Sequence, residues 1–226
     1  SGTHGGGIAN PIHALSHIIA SMKNLNGRIT IDRFYDNVVD LTDEDRAEIA
    51  RVPFDEKAFA EGLEIPEAFG EAGYTIPESK DARPTLELNG IWGGYQGEGA
   101  KTVLPSQAHA KITCRLVMNQ SPDEIYEAIV EHVENNTPRG VRVDITRMPG
   151  RGDPFLIPRG HEGNEIARKV LKEMYAVDPI EIRSGGTLPI VSMLIDELGV
   201  HLPMFAFGQL DEGWHAPNEF HRLESF

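Results

Sequence analysis

The sequence has very little cysteine and no long apolar run. Its 226 residues include one cysteine, Cys114, so no disulfide can form within the chain, and we expect a reducing, cytoplasmic location. Cys114 alternates with Ile112 and Leu116, which favours a buried small residue over a nucleophile. Because no stretch of about 18 apolar residues occurs, a membrane-spanning helix is excluded.

Positive charge is also scarce. The chain has 21 Lys and Arg against 35 Asp and Glu, which gives a formal net charge of −14. Such a surface repels phosphate backbones and anionic lipid head groups, so we expect neither a nucleic acid nor a membrane as partner. Hydrophobic residues make up 40% of the chain, which is enough for a packed core.

The first two thirds of the chain predict an α+β domain with an antiparallel sheet backed by two helices. One further strand before Ser1 would complete a ferredoxin-like arrangement. An acidic stretch, residues 36–80, interrupts the pattern and is typical of a solvated insertion, for which we predict no chemistry. The predicted elements are a helix at 11–24, strands at 28–32, 85–91, 103–117 and 141–146, a helix capped by Ser121, and short helices at 43–50, 55–61 and 66–72 with Thr42 and Asp55 as caps.

The last third of the chain predicts part of an α/β domain. A stretch rich in Pro, Gly and Arg at 147–158 is typical of a crossing between domains. Helix and apolar strand patterns then alternate. We therefore divide the chain into residues 1–147 and 148–226. The predicted elements of the second part are helices at 164–175 and from Thr187 to Leu198, with strands at 180–183 and 202–208.

His215 is a candidate metal ligand. It lies among acidic residues in a loop after a predicted buried strand, where open α/β sheets place their ligand sites. Neutral imidazole binds zinc, and neighbouring carboxylates can orient its second ring nitrogen. A single histidine without partners is more often a loop residue that bonds to a nearby acid than a metal ligand.

Two other loops are candidate carboxylate sites. Gly186 and Thr187 precede a predicted helix, whose free N–H groups attract anions, although plain helix capping explains Thr187 as well. A glycine-rich loop containing Thr102 leads into the strand of Arg115, which points away from the apolar face. A guanidinium there can bind a carboxylate in bidentate fashion or remain solvated. The Thr102 loop is not a phosphate-binding loop, because its glycine spacing is wrong and a strand follows it.

Taken in order, these segments resemble one family. They are Ser1-Gly2-Thr3-His4-Gly5-Gly6 with Asn10-Pro11, Gly99-Ala100-Lys101-Thr102-Val103-Leu104-Pro105, Arg115-Leu116-Val117, Gly185-Gly186-Thr187-Leu188-Pro189 and Gly213-Trp214-His215-Ala216-Pro217-Asn218-Glu219. The chain is similar to the carnosinase and cytosolic non-specific dipeptidase branch of the aminoacylase/carboxypeptidase-G zinc exopeptidases. The resemblance covers nearly the whole chain.

The resemblance implies a function for each segment. Residues 1–147 would be a lid that forms a homodimer, and residues 148–226 the C-terminal segment of a two-zinc catalytic domain. His215 would bind zinc, with manganese or cobalt as alternatives. Thr102, Arg115, Gly186 and Thr187 would bind a small peptide substrate. The activity implied is metal-dependent dipeptide hydrolysis; a deacylase or carboxypeptidase of the same family, or a non-catalytic dimerisation or peptide-binding module, remains open.

The resemblance also implies what this chain does not supply. In the family, the other zinc ligands, the general-base glutamate and the lid histidine all precede the segment that matches Ser1. His4 matches a variable position, so we assign it no role. We therefore expect this chain by itself, with at most one zinc ligand, to be inactive.

Overall fold

The computed structural model describes residues 2–150, 152–184 and 188–225. Its helices and strands are α1 Pro11–Ala20, α2 Asp43–Ile49, α3 Glu56–Gly62, α4 Ile76–Asp81, β1 Thr85–Gly93, β2 Ala108–Arg115, α5 Pro122–Asn136, α6 Glu162–Tyr175 and α7 Pro189–Leu198. Short 3₁₀ turns lie at Gly2–His4, Leu210–Glu212 and Leu223–Ser225. None of the helices described is long and apolar enough to cross a membrane.

The hydrophobic core lies between the two longest helices of the first part and the sheet. Its most deeply buried member is Phe34, which is 1% exposed. Helical spacing points Ile18 of α1 and Ile125 of α5 towards the same interior. The buried cluster consists of Ile18, Met22, Ile29, Ile31, Phe34, Leu86, Ile125, Ala128 and Val133.

The sheet is an antiparallel pair of β1 and β2. Thr85 lies opposite Arg115 and Gly93 opposite Ala108, with an irregularity in the register between Leu88 and Gly90. The predicted antiparallel sheet with two helices is therefore present as a mixed α/β fold, which confirms the predicted fold class. Cys114 packs against the core as predicted.

Four predicted strands are wrong as strands. Within the described residues, segments 141–146, 180–183 and 202–208 join no sheet, and 28–32 forms only a single bridge between Ile29 and Lys23. Alternation identifies which side chains can be buried, but a strand also requires a neighbouring backbone for its hydrogen bonds. Ile29 and Ile31 are buried, so the alternating pattern predicted the core positions correctly although no strand forms there.

The capping predictions are mostly confirmed. Thr42 accepts a hydrogen bond from the Asp45 N–H and Asp55 from the Ala58 N–H, each at the start of its helix. Ser121 precedes α5 as predicted, but its side chain makes no capping hydrogen bond to the first turn of the helix.

The predicted helix at 66–72 is also wrong, and α4 forms a few residues later. There Thr75 and Glu78 form a reciprocal capping box, and a proline occupies the first turn. The pattern Thr-x-x-Glu with Pro77 marks the start of this helix in the sequence. It is a stronger helix signal than the weak apolar spacing around Gly70.

The acidic insertion is fastened to the core by stacked arginine and tyrosine side chains. The Arg83 guanidinium lies 4.3 Å from the ring centroid of Tyr74 and 5.1 Å from that of Tyr35. Arg28 also lies over Tyr35, at 4.2 Å, and Arg46 over Tyr74, at 5.0 Å. Cation–π contacts of this kind gain strength when they are shielded from water.

Two buried glutamates complete this attachment. Glu71 accepts from Arg83 and from Arg28, and Glu78 accepts from Arg46 at 2.9 Å. Glu71 and Glu78 are 8% and 4% exposed. The interpretation of residues 36–80 as a merely solvated insertion is therefore wrong, because paired carboxylates can be buried where isolated ones cannot.

The chain forms two compact units, each built from two stretches of sequence. The first comprises Ser1–Leu156 and Ile180–Met193, and the second Ile157–Pro179 and Leu194–Phe226. In the second unit α6 begins at a cap formed by His161, whose Nδ1 accepts from the Gly163 N–H at 3.1 Å. Lys172 near the end of α6 pairs with Asp178 at 2.6 Å.

Candidate functional site

Thr102 lies in the long loop between β1 and β2. Its backbone carbonyl accepts a hydrogen bond from the Gly2 N–H at 3.1 Å. A Cβ on Gly2 would come within 2.9 Å of the same oxygen, so only glycine permits this approach. The structure thus brings together the N-terminal glycine-rich motif and the Thr102 loop, which are about 100 residues apart in the sequence.

The loop around Thr102 is held by Tyr95. The Tyr95 hydroxyl donates to the Glu98 carbonyl at 2.9 Å, and the Lys101 ammonium lies 5.6 Å from the centre of the Tyr95 ring. A backbone hydrogen bond from Val103 N–H to the Lys101 carbonyl tightens the turn at Thr102 itself. Thr102 is exposed at this turn and available to a ligand.

Arg115 is the last residue of β2. It is exposed and alternates with Cys114, which packs on the core, so the guanidinium stem leaves the sheet on the opposite face, as predicted. Lys111, four residues earlier in β2, lies on the same face as Arg115. Its ammonium nitrogen is 5.9 Å from the centre of the Trp92 ring. Its position at the end of β2 places Arg115 at the margin of the sheet.

Gly186 and Thr187 lie outside the described residues. The described residues on either side are Arg183 and Ser184 before them and helix α7 after them. Arg183 forms an ion pair through Nη2 with Oδ1 of Asp45 in the insertion. No pattern in the sequence pointed to Asp45 as a partner of this segment.

His215 lies in a tightly folded loop of the second compact unit. Gly213 and His215 both adopt left-handed backbone conformations, with φ of 67° and 60°. The Phe220 N–H donates to the Glu212 carbonyl at 3.0 Å, and the Ala216 N–H to the Gly213 carbonyl at 3.0 Å. These contacts present the His215 imidazole at the surface.

Glu212 is the residue around which this loop is organised. Its side chain is fully buried and accepts from the backbone N–H groups of Gln209, at 2.7 Å, and Arg222, at 2.9 Å. These hydrogen bonds, first that from Gln209, lower the pKa of the Glu212 carboxyl below its usual value. Sequence reasoning missed Glu212, because Gln209 is not one of the usual N-cap residues and the Ser/Thr-x-x-Glu signal of a capping box is absent there.

The acidic residues beside His215 have partners other than His215. Asp211 forms two 2.7 Å hydrogen bonds with the guanidinium of Arg222. Glu212 has His221, not His215, as its histidine neighbour, with Nδ1 to Oε2 at 3.4 Å. The idea that these carboxylates orient the His215 ring is therefore not supported; they shape the loop that carries it.

The residues described do not form a complete metal site. Among them, no three His, Cys, Asp or Glu side chains lie close enough to hold one ion. The exposed imidazole of His215 fits zinc as one ligand, but a zinc site needs three or four. His215 can thus contribute to a metal site but cannot form one alone.

Cys114 is unsuited to nucleophilic chemistry. Burial raises the pKa of its thiol to about 12, and the neighbouring charge of Glu87 adds to the effect. The thiolate, which is the reactive form, is therefore almost absent near neutral pH. The interpretation of Cys114 as a packed small residue agrees with this.

Comparison with known proteins decides the family. Residues 1–141 match the M20 family model described as the peptidase dimerisation domain. The chain belongs to this M20 peptidase family. The predicted resemblance to the carnosinase and dipeptidase branch of the zinc exopeptidases is confirmed.

The relatives of this M20 chain include two kinds of dipeptidase. It is 25% identical to the Cys-Gly metallodipeptidase DUG1 of Saccharomyces cerevisiae over 100% of this chain and 47% of that protein. It is 24% identical to the human Beta-Ala-His dipeptidase over 97% of this chain and 44% of that protein. The chain thus spans about half the length of the curated relatives it matches.

Solved structures show the same fold. An M20 family metallo-carboxypeptidase from Sulfolobus solfataricus superimposes with a TM-score of 0.87 at 28% identity, over 99% of this chain and 51% of that one. Human carnosine dipeptidase 1 gives a TM-score of 0.81 at 24% identity, over 97% and 47%, and supports the fold alone.

Proposed function

We propose that the complete polypeptide is a metal-dependent dipeptidase. The observation that carries this proposal is the match of nearly the whole chain to Cys-Gly and Beta-Ala-His dipeptidases. The chain supplies a dimerisation domain and one candidate metal ligand, so we propose that activity requires the rest of a metal-binding site and that this chain alone is inactive.

The proposed substrate contacts come from the end of β2, the loop before it and the glycine loop that precedes α7. Arg115 would hold the free carboxylate of a small peptide, because a guanidinium fork matches a carboxylate in bidentate fashion. Thr102 lies before the start of β2, at the other end of the strand from Arg115, and its hydroxyl would contact the substrate bound by the partner of a homodimer. Gly186 and Thr187 would offer backbone N–H groups to the carboxylate, a role proposed on the sequence motif that they share with the family.

His215 is the proposed zinc ligand of this chain. Manganese and cobalt are alternatives, because both accept nitrogen and oxygen ligands. When bound, such an ion polarises a peptide carbonyl and lowers the pKa of a coordinated water. The loop fixed by Glu212 would hold the imidazole of His215 in place, which reduces the cost of ordering a ligand when the metal binds.

We also propose a homodimer through residues 1–147, with residues 148–226 as the C-terminal segment of the catalytic domain. The match to a dimerisation domain supports this assignment. With one cysteine in the chain, we place the enzyme in the reducing cytoplasm.

A carboxypeptidase or N-acyl amino acid deacylase is the second candidate. The similarity to a metallo-carboxypeptidase at 28% identity favours it over a non-catalytic module. Each of these enzymes binds a free carboxylate, so Arg115 would serve all of them. Only the group on the other side of the scissile bond distinguishes them.

Kinetics of Arg115 variants in the complete polypeptide test the proposal. With zinc and Cys-Gly or β-Ala-His as substrate, Arg115→Met should raise KM at least tenfold, since a hydrogen-bonded charge pair is lost. Lys111→Met, on the same face of β2, is the matched control and should leave KM unchanged. Equal KM values for wild type and Arg115→Met would refute the assignment of Arg115.

A further inference from the structure

The loop between β1 and β2 is long and irregular. It covers residues 94–107, and residues 94–103 are all exposed. Loops of this length without a helix or strand of their own are usually either functional or disordered. Specific contacts close this loop from two sides, which favours a functional loop.

Tyr95 closes the loop from the first side. Its hydroxyl donates to the carbonyl of Glu98 at 2.9 Å, and the ammonium nitrogen of Lys101 lies 5.6 Å from the centre of its ring. Gly97 lies directly against the ring, because a Cβ at this position would come within 2.6 Å of the Tyr95 hydroxyl oxygen and 2.7 Å of Cζ. One side chain thus holds together the glycine-rich part of the loop.

The N-terminal glycine motif closes the loop from the second side. The Gly2 N–H donates to the Thr102 carbonyl at 3.1 Å. The Val103 N–H donates to the Lys101 carbonyl at 2.9 Å, and the Gly5 N–H donates to the Gly2 carbonyl at 3.0 Å. Thr102 is therefore fixed through its backbone while its side chain stays exposed.

Lys101 links the two sides. Its ammonium group lies over the Tyr95 ring, its carbonyl accepts from Val103, and it directly precedes Thr102. Removal of the Tyr95 ring therefore frees the side chain next to Thr102 and leaves the turn with fewer contacts. A less ordered loop loses more conformational entropy when a ligand binds, so its contact with the ligand is weaker.

We propose that Tyr95 is a positioning residue for substrate binding, acting through the loop that carries Thr102. The ring and hydroxyl of Tyr95 hold Thr102 in the conformation that meets the substrate, and Tyr95 itself touches no substrate. This inference rests on the proposed role of Thr102 and deepens it by naming the side chain that orders the loop.

The first test is steady-state kinetics of the complete zinc-loaded polypeptide with Cys-Gly. Tyr95→Ala should raise KM about threefold to tenfold with kcat within about twofold, because a neutral hydrogen bond to the substrate is weakened. Tyr95→Phe keeps the ring beneath Lys101 and should recover most of this loss. Tyr126→Phe removes a hydroxyl from α5 and is the matched control, with KM unchanged. A KM for Tyr95→Ala within twofold of the wild type would overturn the proposal.

Thr102→Val shows whether Tyr95 acts through Thr102. The valine keeps the shape of the side chain and lacks the hydroxyl. In this background Tyr95→Ala should change KM by less than about twofold, since one interaction is lost only once. Additive losses would show that Tyr95 acts by another route and would contradict the positioning role.

Gly97→Ala disturbs the ring without removing it. Its methyl group would collide with the Tyr95 ring, so this variant should raise KM in the same way as Tyr95→Ala. When Tyr95→Ala is already present, the added methyl group meets no ring and should raise KM no further. A further rise would show that the loop backbone, not the Tyr95 ring, sets the affinity, against the proposal.

Hydrogen exchange separates this inference from the proposed function. If neither Cys-Gly nor β-Ala-His is cleaved, or if Thr102→Val leaves KM unchanged, the proposed function fails, whereas the ordering of the loop can still be measured. The amides of Gly2 and Val103 should exchange faster in Tyr95→Ala than in the wild type or Tyr126→Phe. Equal exchange in all three proteins would refute the ordering role of Tyr95.

Discussion

Arg83 and Glu71 form a doubly hydrogen-bonded ion pair that is almost sealed from water. Nε of Arg83 lies 2.9 Å from Oε2 of Glu71 and Nη2 lies 3.2 Å from Oε1. The side chains are 3% and 7% exposed. Because burying a charge is costly unless it is paired, each residue depends on the other.

Removal of one partner should therefore destabilise the fold strongly. Arg83→Met leaves the Glu71 carboxylate buried with Arg28 as its remaining ion-pair partner in the described part of the chain, and we expect a loss of about 3–5 kcal/mol in the free energy of unfolding. Urea denaturation measures this loss. Lys57→Met, which breaks an exposed pair with Glu61, should change it by less than about 0.5 kcal/mol. Equal effects of the two substitutions would contradict the buried-pair account.

This pair also shows where sequence reasoning stopped. Glu71 lies in the acidic stretch 36–80, Arg83 follows it 12 residues later just before β1, and no periodicity links the two. Local signals succeeded: the caps at Thr42 and Asp55, the alternation in β1 and β2, and the helical spacing of Ile18 were all found. Long-range pairing of charged groups depends on the folded chain path, which short-range patterns do not contain.

The candidate site, like the fold, could be predicted from the sequence only in part. Ordered motifs in the sequence identified His215, Arg115 and Thr102 as candidates, and the structure adds the contact that brings Gly2 to Thr102. Asp211 and Glu212 do not orient the His215 ring, because adjacency in sequence does not determine which way a side chain points. Asp211 turns to Arg222 instead.

His132 should make stability depend on pH. The Ser21 hydroxyl donates to the Ile18 carbonyl at 2.7 Å, so Nε2 of His132, 2.9 Å away, donates to Ser21. Burial lowers the pKa of His132, only partly offset by the charge of Asp32. The unfolded chain then binds a proton more readily than the folded one, so the free energy of unfolding should fall as pH drops from about 7 through the usual histidine value of about 6.5.

Denaturation at a series of pH values checks this slope. His132→Gln keeps an N–H donor but does not titrate, so it should flatten the pH dependence between about 7 and 5. His4→Gln, at an exposed position, should leave the slope as in wild type. A slope unaffected by His132→Gln would show that another group is responsible.

Glu212→Gln should loosen the loop that carries His215. The wild-type carboxylate accepts from the two backbone N–H groups through separate oxygens, whereas a glutamine side chain has only one acceptor oxygen. The backbone amides of Gln209 and Arg222 should therefore exchange faster with solvent in the variant. Because the folded pKa of Glu212 is lowered, the loop in wild type should stay protected above about pH 4.3 and lose protection as pH falls below that value. Asp211→Asn, which alters only an exposed pair, is the control; equal exchange in the two variants would contradict the role of Glu212.

The thiol of Cys114 should be unreactive in the folded protein. With a pKa raised to about 12, less than about one part in a thousand is thiolate at pH 8. A disulfide reagent should therefore label the folded chain far more slowly than the chain in denaturant, where the pKa returns to about 8.5. Rapid labelling of the folded chain would show that Cys114 is more accessible than its packing indicates.

Hydrolysis of a mixed dipeptide library by the complete polypeptide tests the central claim most directly. The assay is run with added zinc or manganese and again with a chelator. We predict cleavage of at least one dipeptide with metal and its loss in the chelator, with restoration on adding metal back. Cleavage that persists in the chelator, or no cleavage when metal is bound, would contradict the assignment of this chain to a metal-dependent dipeptidase.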